Sequence, residues 1–117
     1  MNNRVLRLLE QLEKRGLKGM LVSSPENRRY LSGFAGSAGV LIIAPGVTKI
    51  ATDFRYYEQV AEQAPEFELV KVVASTPDVL AQELKRLGLT EVAFESDNLT
   101  VTTYNQWAAA MQGVNLV

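Results

Sequence analysis

Val40-Leu41-Ile42-Ile43-Ala44 is apolar at every position, with no alternation between an oily side and a wet one. Successive strand side chains point to opposite faces of a sheet. A strand that is apolar at both parities must be covered on both faces, so this chain needs a sheet sandwiched between two other layers.

The flanking sequence supplies that cover. Apolar residues at 5, 8, 9 and 12 keep the spacing of a one-sided helix, and Gly16 follows where a left-handed residue closes one. Met20-Leu21-Val22 reads as a short buried strand. Ser24 caps a helical turn with Pro25 at its first position, and Gly33 stops it. Pro45-Gly46 turns the chain, so Val47 to Thr52 returns on residues 40–44 as an antiparallel hairpin. Asp53 opens a helix with Phe54, Tyr57, Val60, Ala61 and Ala64 on one face, and Pro65 ends it. Leu69 to Val73 is a strand. Thr76, Pro77 and Asp78 form the cap, first position and first-turn acid of the next helix, with Leu80, Leu84 and Leu87 inward and Gly88 as its stop. Val92-Ala93-Phe94 is a strand. A last helix follows Thr100, with Val101, Tyr104, Trp107, Ala108 and Met111 in one stripe. Gly113 closes it, and Val114 to Val117 begins another strand.

Leu12, Gly16, Leu17 and Ser24 share their offsets with Leu84, Gly88, Leu89 and Ser96. Both sets read as helix, glycine stop, strand and capping serine, one αβ unit used twice. The predicted fold is α/β: a three-layer α/β/α domain whose mixed, mostly parallel sheet contains one antiparallel hairpin. The 117 residues make one domain spanning 1–117. Its last residue falls inside a predicted strand, as a cut through a longer polypeptide would leave it.

Composition excludes several classes of function. Twelve basic side chains face thirteen acidic ones, a balance unlike the basic excess of a nucleic-acid module. With neither cysteine nor histidine, the chain cannot build a disulfide, a thiolate zinc site, a Ser-His-Asp triad or a histidine base. The N-terminus is amphipathic, unlike a secretory signal, and the longest apolar run falls far short of the roughly 20 residues that span a bilayer. A cytoplasmic protein away from membranes is expected.

Several motifs reduce to structure. Gly33, Gly36 and Gly39 follow a helix and precede a strand, the reverse of a dinucleotide fingerprint, so tight backbone packing is expected of them. Ser37 has no histidine to activate it. Arg28 and Arg29 read as a solvated helix face, and Asp53, Glu58, Glu62 and Glu66 as an exposed acidic one rather than a metal site. Asn98-Leu99-Thr100 reads as a helix entry. Arg55 is less readily absorbed. It falls in the first turn of the helix Asp53 opens, where the dipole disfavours a cation. Either Asp53 or Glu58 neutralises it, or it is held to meet an anionic group.

Three segments in order, Ser24-Pro25-Glu26-Asn27-Arg28-Arg29-Tyr30-Leu31-Ser32-Gly33-Phe34, Gly36-Ser37-Ala38-Gly39 and Thr52-Asp53-Phe54-Arg55-Tyr56, resemble the N-terminal domain of the creatinase and Xaa-Pro peptidase family. The resemblance runs from the first helix nearly to the end. It implies an accessory, non-catalytic domain ahead of a pita-bread catalytic domain. That second domain holds two divalent ions, manganese or cobalt, on two aspartates, a histidine and two glutamates, and a metal-activated water attacks the bond before proline. The resemblance gives this chain no cofactor of its own. Its implied partners are its own C-terminal catalytic domain, further copies in a homo-oligomer, and a proline-containing peptide at the cleft it helps to wall. Arg55 and Phe34 become the substrate-binding positions, with Asp53 and Tyr56 supporting them. A creatinase-like C–N hydrolase, or a homologue that binds without catalysis, is the alternative parent.

Overall fold

In the computed structural model, which describes residues 2–117, the all-apolar strand feeds two cores at once. Val40 and Ile42 enter one buried cluster, with Leu21, Ala51, Leu80, Leu84, Val92, Trp107 and Met111. Leu41 and Ile43 enter the other, with Val5, Val22, Leu31, Phe34, Ile50, Val60 and Ala64. The elements run α1 (Asn3–Lys14), β1 (Met20–Val22), α2 (Pro25–Ser32), β2 (Val40–Ala44), β3 (Val47–Thr52), a 3-10 turn (Phe54–Tyr56), α3 (Tyr57–Gln63), β4 (Glu68–Lys71), α4 (Thr76–Arg86), β5 (Glu91–Phe94), α5 (Val101–Ala110) and β6 (Asn115–Leu116). α1, α2 and α3 cover one face of the sheet, and α4 and α5 cover the other.

The six strands lie in the order β4-β3-β2-β1-β5-β6. β3 pairs parallel with β4, and β5 parallel with both β1 and β6. β2 is antiparallel to both its neighbours, so it alone runs against the rest. The hairpin is β2–β3. The second antiparallel pairing, β1–β2, is made across α2 rather than by a turn.

The internal echo is physical at its helix ends. Gly16 and Gly88 have φ of 72° and 71°. Leu17 N–H donates to the Leu12 carbonyl at 2.9 Å, and Leu89 N–H donates to the Leu84 carbonyl at 3.0 Å. These are two copies of one Schellman stop. The echo fails at its last member, since Ser96 lies in a turn and caps no helix; Thr100 caps α5.

Four expectations need correction. The helix after Asp53 begins as a 3-10 turn. Three residues per turn instead of 3.6 roll the stripe around, leaving Phe54 77% exposed and Ala61 in solvent, while Tyr56 packs inward. β4 ends at Lys71, so Val73 is 91% exposed rather than a strand residue. Ser75, not Thr76, caps α4. α5 buries only Trp107 of its helical residues, with Met111 just beyond, while Val101 and Ala108 face solvent.

Candidate functional site

The strand directions gather polar residues on one edge of the sheet. β1, β3 and β5 end there at Val22, Thr52 and Phe94, and β2 begins there at Val40. The carboxyl edge is where open α/β sheets bind ligands, because their loops are free to vary there.

Asp53 follows directly from β3. Its carboxylate accepts from the Arg55 N–H at 3.1 Å and so caps the 3-10 turn. The same carboxylate takes Arg55 side-on, from Nε at 2.8 Å and from Nη2 at 2.9 Å. The local pair allowed by the sequence is therefore formed. The guanidinium holds the Asp53 carboxyl down at about 2, and the carboxylate raises Arg55 above its ordinary value. Arg55 is nonetheless 60% exposed in its side chain. A guanidinium has five N–H donors. Two are used on Asp53, and the fork formed by Nη1 and the second Nη2 hydrogen has no partner among the described residues.

Tyr56 stands beside this pair. The Arg55 guanidinium lies 5.2 Å from its ring centre. The Tyr56 hydroxyl shares a short hydrogen bond with Ser37 Oγ on the glycine loop. Phe34 meets the Tyr56 ring edge-on, with centroids 5.8 Å apart. Phe34 itself is fully buried, at 0% exposure. It offers no surface to a ligand, so its assignment as a contact residue is corrected to one of support. It lies beneath the loop: a Cβ on Gly36 would fall 2.1 Å from Phe34 Cζ, so only glycine lets the backbone rest on that ring.

Two residues of this edge escape the sequence reading. Arg28 is 3% exposed, not on a solvated face. It lies three residues before buried Leu31 on α2, and that helical spacing was the available signal. Its Nη1 donates to the Ser23 carbonyl, and its Nη2 donates to the Gly36 carbonyl at 3.0 Å. Glu95 directly follows β5. Its carboxylate accepts from Ser23 N–H, Ser24 N–H, Ser24 Oγ and Asn27 Nδ2, at 2.6, 2.8, 2.9 and 2.6 Å. Burial works to raise its pKa, but these donors at the start of α2 outweigh burial and lower it. Its partner Ser23 lies 72 positions away, the same offset as the internal echo. The echo together with parallel pairing was the signal for it.

Among the described residues, no three of His, Cys, Asp and Glu come together in an arrangement that holds a metal ion. The exposed end-on fork of Arg55 on this edge matches a planar acceptor such as a carboxylate in geometry.

The chain belongs to the creatinase/prolidase N-terminal domain family, whose profile matches residues 4–117. It is 35% identical over 102 residues to the uncharacterized peptidase YqhT of Bacillus subtilis, covering 87% of this chain and 29% of that protein. It is 34% identical over 93 residues to Xaa-Pro aminopeptidase 2 of Homo sapiens, covering 77% of this chain and 14% of that one. Its structure matches the Xaa-Pro dipeptidase from Bacillus anthracis with a TM-score of 0.92 at 32% identity, over 97% of this chain and 32% of that one. It matches the N-terminal domain of the cytoplasmic peptidase PepQ from Mycobacterium tuberculosis with a TM-score of 0.91 at 36% identity, over 100% of this chain and 92% of that one. The chain thus spans less than a third of the length of these two curated relatives. No helix is long and apolar enough to cross a membrane among the described residues.

Proposed function

We propose that this chain is the non-catalytic N-terminal domain of a cytoplasmic Xaa-Pro dipeptidase or aminopeptidase, and that its carboxyl edge walls the substrate cleft. The catalytic domain of the same polypeptide holds the two divalent ions, manganese or cobalt, and cleaves the bond before proline. The domain also joins copies of the enzyme in a homo-oligomer. Arg55 binds the carboxylate or backbone of the peptide, with Asp53 and Tyr56 orienting it and Phe34 bearing the loop alongside.

The free fork of Arg55 is the observation that carries this reading. Asp53 grips the guanidinium from its side and fixes its plane, leaving the end-on donors exposed. A carboxylate matches that fork bidentately. Because Asp53 already balances the charge, the arrangement gives direction more than net attraction.

The test is a substrate panel on the full-length protein: Xaa-Pro dipeptides, longer peptides with proline second, and creatine. Cleavage confined to the bond before proline is the expected result. Turnover of creatine alone, or of none of the three, contradicts the reading and leaves the C–N hydrolase or the binding homologue.

A further inference from the structure

Arg28 poses the sharpest physical question in the domain. Arginine is almost never fully buried without a partner, yet this one is 3% exposed, and its Nε is the one buried side-chain polar atom without a hydrogen-bond partner among the described residues. Burial pulls its pKa down, and the Glu95 charge pulls back against that. Packing alone does not call for a cation here, since well-packed apolar residues often replace buried ionic groups at no loss of stability.

What an apolar side chain cannot do is hold two backbone segments at once. The flat guanidinium reaches the Ser23 carbonyl, where β1 passes into α2, and the Gly36 carbonyl, in the loop between α2 and β2. That loop is restrained elsewhere as well. Phe34 lies under Gly36, and Thr52 Oγ1 donates to the Ala38 carbonyl at 2.8 Å. Between these anchors sits Ser37, bonded to the Tyr56 hydroxyl, and the Tyr56 ring lies beside Arg55.

We propose that Arg28 is a positioning residue: by bridging Ser23 and Gly36 it fixes the glycine loop, and through Ser37 and Tyr56 it sets where Arg55 is presented. The proposal rests on the substrate-binding reading of Arg55 for its consequence, but not for its structural half.

Arg28→Gln, which removes the guanidinium and leaves a single, shorter-reaching donor nitrogen in place of Nη1 and Nη2, tests it in two ways. Backbone 15N relaxation on this chain should show order parameters at residues 35–39 falling from about 0.85 to below about 0.6, while β1 and β5 stay rigid. In the full-length enzyme, KM for a peptide with a free carboxylate should rise roughly tenfold with kcat within about threefold. That rise should vanish in an Arg55→Ala background, because the two residues act through one contact. Arg28→Lys, which keeps the charge beside Glu95 but replaces the two separate guanidinium nitrogens with one, serves the same measurements with the same expected result if the glutamine variant does not fold. A loop as rigid as in the wild type overturns the proposal. So does uniform loosening of β1 and β5 with the loop, or a KM effect that persists without Arg55. If Arg55→Ala itself leaves catalysis untouched, the substrate reading fails, and relaxation at 35–39 still decides whether Arg28 orders the loop.

Discussion

Glu95 shows how much one side chain can organise here. It joins the end of β5 to the start of α2 by accepting four hydrogen bonds. Its pKa is held below the ordinary 4.5, so the carboxylate stabilises the fold fully above that value and loses its effect as pH falls through the lower, folded value. Glu95→Gln should cost about 1–3 kcal/mol at neutral pH, since it puts an amide where donors converge. The variant should also lose less stability than the wild type on acidification below about pH 4.5. Urea unfolding at neutral and acid pH checks both, and parallel losses in the two proteins would contradict the assignment. Gly36→Ala should cost about 1–3 kcal/mol or more, because the Phe34 ring beneath it is core and cannot swing away. A thermal melt of that variant matching the wild type would show that the ring yields. Glu95 drew no notice in the sequence because its partners lie 68 to 72 positions away, whereas the reading of Arg28 as a solvated residue overlooked its helical spacing from buried Leu31.

At the scale of elements, local chemistry was far more legible. β2 announced a sheet covered on both faces, and both glycine stops were readable from spacing alone. Gly16 and Gly88 close their helices with the same conformation and the same hydrogen bond, and beyond the adjoining chain no atom lies within 4 Å of where either Cβ would be. Alanine at either position therefore meets only left-handed backbone strain, about 1–2 kcal/mol. The two losses should match within about 0.5 kcal/mol and add in the double variant. Urea midpoints of the three variants test this, and clearly unequal losses would show that the echo is one of sequence only. The 3-10 turn was invisible for the opposite reason. Its residues fit an α-helical stripe, and what tightens them is Asp53 capping two residues ahead while gripping the Arg55 side chain. Phe54 is turned into solvent as a result.

Across the whole molecule, two cores share a single sheet, and β1, β2 and β3 contribute to both. Neither core can melt without uncovering strands that the other needs. The chain should therefore unfold in one cooperative step, with near- and far-ultraviolet circular dichroism tracing the same transition. Two separated transitions would mean that the layers fold independently. The three-layer order and the hairpin followed from sequence, as did the motifs at the carboxyl edge. How those motifs meet did not, because Ser37, Tyr56 and Arg55 are brought into one row only by the lone reversed strand and the loop leading into it.

On the proposed function, Arg55 is the group this edge presents to a peptide substrate. The most direct measurement compares kcat/KM for one Xaa-Pro peptide bearing a free C-terminal carboxylate and its amidated counterpart, using full-length enzyme with and without Arg55→Ala. The wild type should prefer the free carboxylate. The variant should lose roughly 30- to 1000-fold on the free acid and far less on the amide, collapsing the preference, while its melting temperature stays within about 2 °C. A variant within about threefold of the wild type on both substrates would make Arg55 a surface residue paired with Asp53 and contradict the claim.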